Sequence, residues 1–211
     1  MITIFNATMT RSTRVLWLLE ELGVAYRIEP ISIARPDGSG GPDAKNPHPL
    51  KQVPVIEHDG SVIVESVVIW LHLIDQHAEA KLAPALHAAD RAEFMSWIGM
   101  ATAIVEPLIS AHMSGAGWNA RQQDAAAHMM ARIETALEQT DYLMGGSFQA
   151  VDLIYFSLLR LCPPLLPTSS KTIKWQERIA QRPALARARA RDSAELYPGV
   201  IDGSFYPGII R

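Results

Sequence analysis

The stretch Met1-Ile2-Thr3-Ile4-Phe5-Asn6-Ala7-Thr8-Met9-Thr10-Arg11-Ser12-Thr13-Arg14-Val15-Leu16-Trp17-Leu18-Leu19-Glu20-Glu21-Leu22-Gly23 changes its apolar period once, and that change decides the fold class of the N-terminal part of the chain. Ile2 to Phe5 is a short apolar run that suits a strand, whereas Arg14 to Leu22 puts Val15, Leu18, Leu19 and Leu22 on one helical face. Gly23 ends that helix. Ala25 to Ile33 alternates as a second strand, and a loop rich in Gly, Pro and Asp runs from Pro36 to Pro49. Val53 to Ile56 and Ser61 to Val64 then bracket His58-Asp59-Gly60, a hairpin signal, before a helix over Glu65 to His77. Strand, helix, strand, loop, hairpin and helix make an α/β unit over residues 1–80.

Beyond a linker near Ala78 to Ala85 the strand signals fade. The pattern predicts helices from His87 to about Met113, from Asn119 to Tyr142, over Val151 to Cys162, near Lys171 to Gln181 and over Pro183 to Ser193. Residues 86–211 therefore read as an all-α domain with a tail. Met129, Ile133 and Leu137 recur at four-residue spacing as a core stripe, and the nearly all-apolar Val151 to Cys162 reads as the central helix, stopped by Pro163-Pro164. The tail repeats Tyr-Pro-Gly at Tyr197-Pro198-Gly199 and Tyr206-Pro207-Gly208, too short an echo for a solenoid.

Composition narrows the function classes. With 211 residues, 48% hydrophobic and 19% charged, the chain is too apolar for disorder, and a net charge of −3 gives no reason to expect nucleic acid or an anionic membrane. The single cysteine, Cys162, rules out an internal disulfide, a CxxC redox pair and a structural zinc site. The N-terminus lacks the charge-then-apolar order of a signal peptide, and no apolar run approaches the roughly 20 residues of a bilayer span. The expectation is a soluble cytoplasmic protein. His112 has no companion at metal-ligand spacing, so no metal is assigned.

Three features of the first unit bear on chemistry. Thr10 or Ser12 can cap the helix that begins there, and the same helix mouth, with Arg11 and Arg14 beside it, favours an anion such as a thiolate. In His48-Pro49-Leu50-Lys51-Gln52-Val53-Pro54-Val55-Ile56 a proline opens a strand. There it invites a cis Val53-Pro54 bond that would turn the Val53 backbone toward an extended peptide-like ligand. Glu65-Ser66 opens the next helix, where Glu65 suits an ammonium and Ser66 with the helix N-terminus suits a carboxylate; plain capping is the simpler use of both.

In this order, the T-R-S-T-R-V-L-W-L-L-E-E-L-G, H-P-L-K-Q-V-P-V-I and V-E-S-V-V-I-W-L runs resemble those of the glutathione S-transferase family, nearest to bacterial and fungal members with an S-R-S-x-R-x-L-W-L-L-E-E-L segment. The resemblance implies a thioredoxin-like glutathione-binding domain and, after it, an all-α domain. It implies that Val53, before a cis Pro54, pairs with the cysteinyl unit of glutathione, that Glu65 and Ser66 take the γ-glutamyl end, that Gln52 lies near the glycyl carboxylate, and that Arg11 helps to bind. Thr10 stands where relatives often carry a Ser, Tyr or Cys that contacts the sulfur, with Ser12 two residues on; either hydroxyl is a candidate. Lys51 stands where relatives commonly have Gly, and Gln149 where a capping Ser or Thr is expected before Ala150-Val151-Asp152, a loss of about 1 kcal/mol. With no cysteine at the site, the reactive sulfur is expected to arrive with the ligand.

The function implied is detoxification, in which the thiol of bound glutathione, a co-substrate, is activated to attack a small apolar electrophile between the domains of a homodimer. Met9, Val105, Leu108, His112, Trp118 and Tyr206 are candidates to line the electrophile pocket. The alternatives are a noncatalytic protein-interaction module of the same fold, or glutathione-dependent peroxide reduction, dehalogenation or isomerisation.

Overall fold

The computed structural model describes residues 1–192, so the tail with its two Tyr-Pro-Gly echoes, and with it the pocket candidate Tyr206, lies outside the described residues. The first unit runs β1 (Ile2–Asn6), α1 (Ser12–Leu22), β2 (Tyr26–Pro30), β3 (Val55–His58), β4 (Ser61–Val64) and α2 (Ser66–Gln76). The sheet order is β2-β1-β3-β4. β1 lies parallel to β2 and antiparallel to β3, and β3 lies antiparallel to β4. This is the thioredoxin-like mixed sheet that the sequence implies. All five residues of β1 are buried, as an interior strand requires. The β3–β4 hairpin closes through Asp59 and Gly60, both left-handed at φ 50° and 82°, the backbone a two-residue type I′ turn demands.

In α1, Val15, Leu16, Leu18 and Leu19 are buried, and Gly23 at φ 67° ends the helix by donating its N–H to the Leu19 carbonyl. Helix α1 begins at Ser12, two residues before the predicted start.

The second unit, Lys81–Arg182, contains α3 (Arg91–Met100), α4 (Glu106–Met113), α5 (Ala120–Gln139), α6 (Ala150–Leu159) and α7 (Ser170–Ala180). The helix predicted over His87 to Met113 is interrupted by one wide turn, Ala101–Val105, in which the Glu106 N–H bonds the Ala101 carbonyl five residues back. Pro107 accounts for it, because its ring clashes with the carbonyl four residues earlier in a regular helix. By length and composition alone, Arg91–Met113 could cross a bilayer, which corrects the expectation that no such run exists. It instead buries Phe94, Trp97, Ile98, Leu108 and Ile109, and its wide turn packs on α5 and α6. On α5, Met129, Ile133 and Leu137 form the expected buried stripe.

Nine of the ten residues of α6 are buried, and Asp152 within it is fully enclosed. Its carboxylate accepts the N–H groups of Leu143 and Gln149 and the Trp175 indole, each at 2.9 Å. The missing hydroxyl cap leaves a trace, since Gln149 Oε1 is buried without a partner among the described residues.

The eighth helix corrects the predicted division of the chain. α8 (Pro183–Arg191), expected in the helical domain, packs on α1 and groups with residues 1–80. The reason is a charge cluster that no local pattern reveals. Glu20 is buried on α1, and its carboxylate receives the Tyr26 hydroxyl and the Nε groups of Arg187 and Arg191, each at 2.6 Å. Burial pushes the Glu20 carboxyl up, but the Tyr26 hydrogen bond and the two guanidinium groups outweigh it, leaving the group below its ordinary value. Between the folded and unfolded values the unfolded chain binds a proton that the folded chain does not. This stabilisation is therefore complete above the ordinary carboxylate range and lost as pH falls. Glu20→Gln should lower stability at neutral pH by about 1 kcal/mol, a figure kept small because both arginines are half exposed. Urea unfolding at several pH values should show the gap to wild type closing in acid.

Candidate active site

The strand register brings the three chemical features together. Phe5 pairs with Val55, and Val55 with Val64. The loop leaving β1, the Val53-Pro54 entry to β3 and the Glu65-Ser66 exit from β4 therefore meet at one edge of the sheet. Below them Phe5, Ile31 and Val55 form a buried apolar cluster on which the Val53 side chain packs.

At the first corner the two hydroxyl candidates separate. Ser12 is 0% exposed, and its hydroxyl lies 2.6 Å from Asn6 Oδ1 and 3.1 Å from the Ala7 carbonyl. Thr10 is half-buried, with its Oγ1 2.5 Å from the Ala7 carbonyl and 2.8 Å from Ser12 Oγ. The protons can be assigned. Asn6 donates its amide N–H to Asp192, so its Oδ1 is the atom facing Ser12, and Ser12 donates to it. Thr10 is then the donor in its contact with Ser12, or gives its proton to Ala7, and it accepts the Ser12 N–H at 3.3 Å, while Arg11 is the N-cap residue of α1 and its side chain makes no cap bond. Of the two residues only Thr10 is partly exposed. Arg11 is exposed and Arg14 buried. Met9, just before Thr10, is left-handed at φ 58°, a conformation that costs a residue with a side chain about 1 kcal/mol.

At the second corner the Val53-Pro54 bond is cis, as the proline position suggested. The loop before it is built on buried Asn46, whose amide donates to the Gln52 carbonyl at 3.1 Å and accepts the His48 N–H at 2.9 Å. Lys51 is left-handed at φ 54°, which explains the usefulness of glycine there. Its ammonium donates to the Asn46 carbonyl at 2.6 Å, so in this structure it closes the loop rather than standing free for a ligand. Gln52 is exposed. At the third corner Glu65 is exposed and left-handed at φ 69°, and Ser66 begins α2. Among the described residues no side chain caps α2, so its first-turn N–H groups open toward the edge at which Glu65 lies.

The pocket candidates in the second unit are placed less suggestively. Val105 and Leu108 are buried side chains of the helical core, and the Trp118 indole donates to the Leu108 carbonyl at 2.9 Å. His112 is exposed, its ring 6.5 Å from that of Trp118. Cys162 is buried, and burial pushes its thiol up, away from thiolate character.

The sequence pattern of the glutathione S-transferase N-terminal domain matches residues 8–76, a segment that contains all three corners. Over that segment the chain is similar to the N-terminal domain of the glutathione S-transferases. Among curated relatives it is similar to glutathione S-transferase 3 of Schizosaccharomyces pombe, 31% identical over 109 residues, which cover 52% of this chain and 44% of that protein. The chain thus spans less than half the length of that relative. Among solved structures it resembles a glutathione S-transferase from Actinobacillus pleuropneumoniae, with TM-score 0.77 and 22% identity over 98% of this chain and 99% of that one. It also resembles the theta class enzyme of Xanthomonas axonopodis pv. citri with glutathione bound, with TM-score 0.67 and 26% identity over 89% and 96% of the two chains.

Sequence reasoning missed Asn6 and Asp192, which hold the first corner in place. A polar residue closing an apolar strand was the only signal for Asn6, and nothing local marks Asp192. Because the Ser12 hydroxyl is enclosed and bonded to Asn6, Ser12→Ala should cost about 1–2 kcal/mol of stability by removing a buried hydrogen bond. Denaturant unfolding measures it, and an unchanged midpoint would show that the bond carries no weight.

Proposed function

We propose that this protein is a glutathione transferase that binds glutathione along the shared edge of the first unit and holds its sulfur beside Thr10. The observation that supports the reading best is the convergence of the three corners through the Phe5–Val55–Val64 register. Glu65 takes the ammonium of the γ-glutamyl unit, and Ser66 with the α2 N–H groups takes its carboxylate. The Val53 backbone pairs with the cysteinyl unit in the manner of an added strand, and Gln52 and Arg11 lie nearer the remaining polar groups. The sulfur meets the mouth of α1, where the helix dipole and the Thr10 hydroxyl favour thiolate over thiol.

A free thiol has a pKa near 8.5, so lowering it by one unit raises the thiolate fraction at neutral pH roughly tenfold. The thiolate attacks an electrophilic carbon, the leaving group departs with the electron pair, and the thiol proton goes to solvent. A homodimer in the cytoplasm, acting in detoxification, belongs to the same reading, and light scattering tests the dimer. One observation favours a second reading, in which the fold binds glutathione without transferring it: the Thr10 proton is already held by the Ala7 carbonyl or by Ser12.

Conjugation of an activated aryl chloride separates the two. Wild type should turn over, and Thr10→Ala should lose about tenfold in kcat with KM for glutathione changed less than about twofold, since the lost bond matters most to the thiolate. Equal rates in the two proteins would remove Thr10 from the role. Calorimetry showing no glutathione binding at millimolar concentration would end the reading altogether.

A further inference from the structure

Asp192 is the first residue beyond α8, 8% exposed, and its N–H continues the helix by bonding the Ala188 carbonyl at 2.9 Å. Its carboxylate gathers three segments of the candidate site. Oδ1 accepts the Asn6 amide at 2.9 Å, while Oδ2 accepts the Met9 N–H at 3.2 Å and the Thr13 hydroxyl at 2.5 Å. These are the end of β1, the left-handed residue before Thr10, and the first turn of α1. A carboxylate enclosed this far needs donors, and the three it has belong to the loop that carries Thr10 and to its two flanks.

We propose that Asp192 is a positioning residue for thiol activation: it holds Met9 in its left-handed conformation and ties Asn6 and Thr13 to it, so that the loop carrying Thr10 and the mouth of α1 keep their place against a bound sulfur. This role rests on the chain's acting as a glutathione transferase. The chain of bonds has one polarity. Asp192 fixes which end of the Asn6 amide faces Ser12, and Asn6 Oδ1 then takes the Ser12 proton, which anchors the start of α1 to the same brace. An amide in place of the carboxylate would set an N–H₂ against either Asn6 or the Met9 N–H, neither of which can accept it. Burial raises the Asp192 carboxyl above its ordinary value, against the pull of its three donors and of Arg35, the charged side chain beside it. Arg35 itself braces the same loop by donating to the Thr8 carbonyl at 2.9 Å.

The two ways in which Asp192 can influence a bound thiol have opposite signs. As a bare negative charge near the site it opposes the thiolate, and neutralising it would lower the thiol pKa. As the brace of the loop it favours the thiolate, and its loss would raise that pKa.

The test is an ultraviolet titration of the thiolate in full-length protein saturated with glutathione, for wild type and Asp192→Asn, together with calorimetric binding of S-methylglutathione, which has no thiol. The proposal predicts a bound-thiol pKa about one unit higher in the variant, a roughly tenfold loss of thiolate at neutral pH, with S-methylglutathione affinity within about twofold. An unchanged or lowered thiol pKa overturns it, and so does a matching loss of S-methylglutathione affinity, which would make Asp192 structural only. If Asp192→Asn does not fold, Thr13→Val removes one donor from the same oxygen and should shift the thiol in the same direction by a smaller amount; no shift there overturns the proposal. If wild type itself shows no bound thiolate, the transferase reading fails and the role of Asp192 falls with it, an outcome distinct from a normal wild type beside an unshifted variant.

Discussion

An enclosed carboxylate must find hydrogen-bond donors or lose its charge, and at Asp192 the donors come from three places that the chain would otherwise leave independent. Asn6 ends the buried strand β1, Met9 lies in the loop after it, and Thr13 sits in the first turn of α1. Tying them to one residue at the end of α8 fixes where β1 hands over to α1. Further along the same helix pair, Glu20 receives Arg187 and Arg191, so α1 is held near its start at Thr13 and near its end at Glu20. With that junction fixed, the register of the sheet carries the rest: Phe5 places Val55, Val55 places Val64, and the three corners fall along one edge.

The geometry at that edge explains which side chains are spent on structure and which remain for a ligand. Ser12, Asn46 and Lys51 carry conspicuous polar groups, and each is committed internally, to Asn6, to Gln52 with His48, and to Asn46. Thr10, Gln52 and Glu65 retain surface exposure. Three residues with side chains, Met9, Lys51 and Glu65, are left-handed, one at each corner. Such conformations persist where the surroundings hold them, and they are commonest where a backbone must present groups to something else.

Much of this was legible in local sequence. The change of period, the Gly23 stop, the Asp59-Gly60 turn and the proline before β3 each act over a few residues, and apart from a helix start two residues ahead of Arg14 each is found where the residues place it. What escaped was long-range or depended on burial. α8 carries an arginine-rich pattern that reads as another helix of the all-α domain, and its attachment to the first unit runs through Glu20, Asn6, Met9 and Thr13, all more than 160 residues earlier. Thr10 and Ser12 are equivalent as letters, and the fold distinguishes them by enclosing one. The wide turn before Glu106 comes from Pro107, whose clash with the preceding turn can be met either by a kink or by one extra residue in the turn, so a periodic pattern alone does not choose.

If the junction braced by Asp192 is where the sulfur of glutathione is held, a crystal structure of the full-length protein with glutathione will show it. The sulfur should lie within hydrogen-bonding distance of Thr10 Oγ1, with the cysteinyl backbone paired to Val53, the γ-glutamyl end at Glu65 and Ser66, and the three Asp192 bonds intact. A sulfur lodged away from Thr10, or glutathione bound elsewhere than along this edge, would refute that assignment.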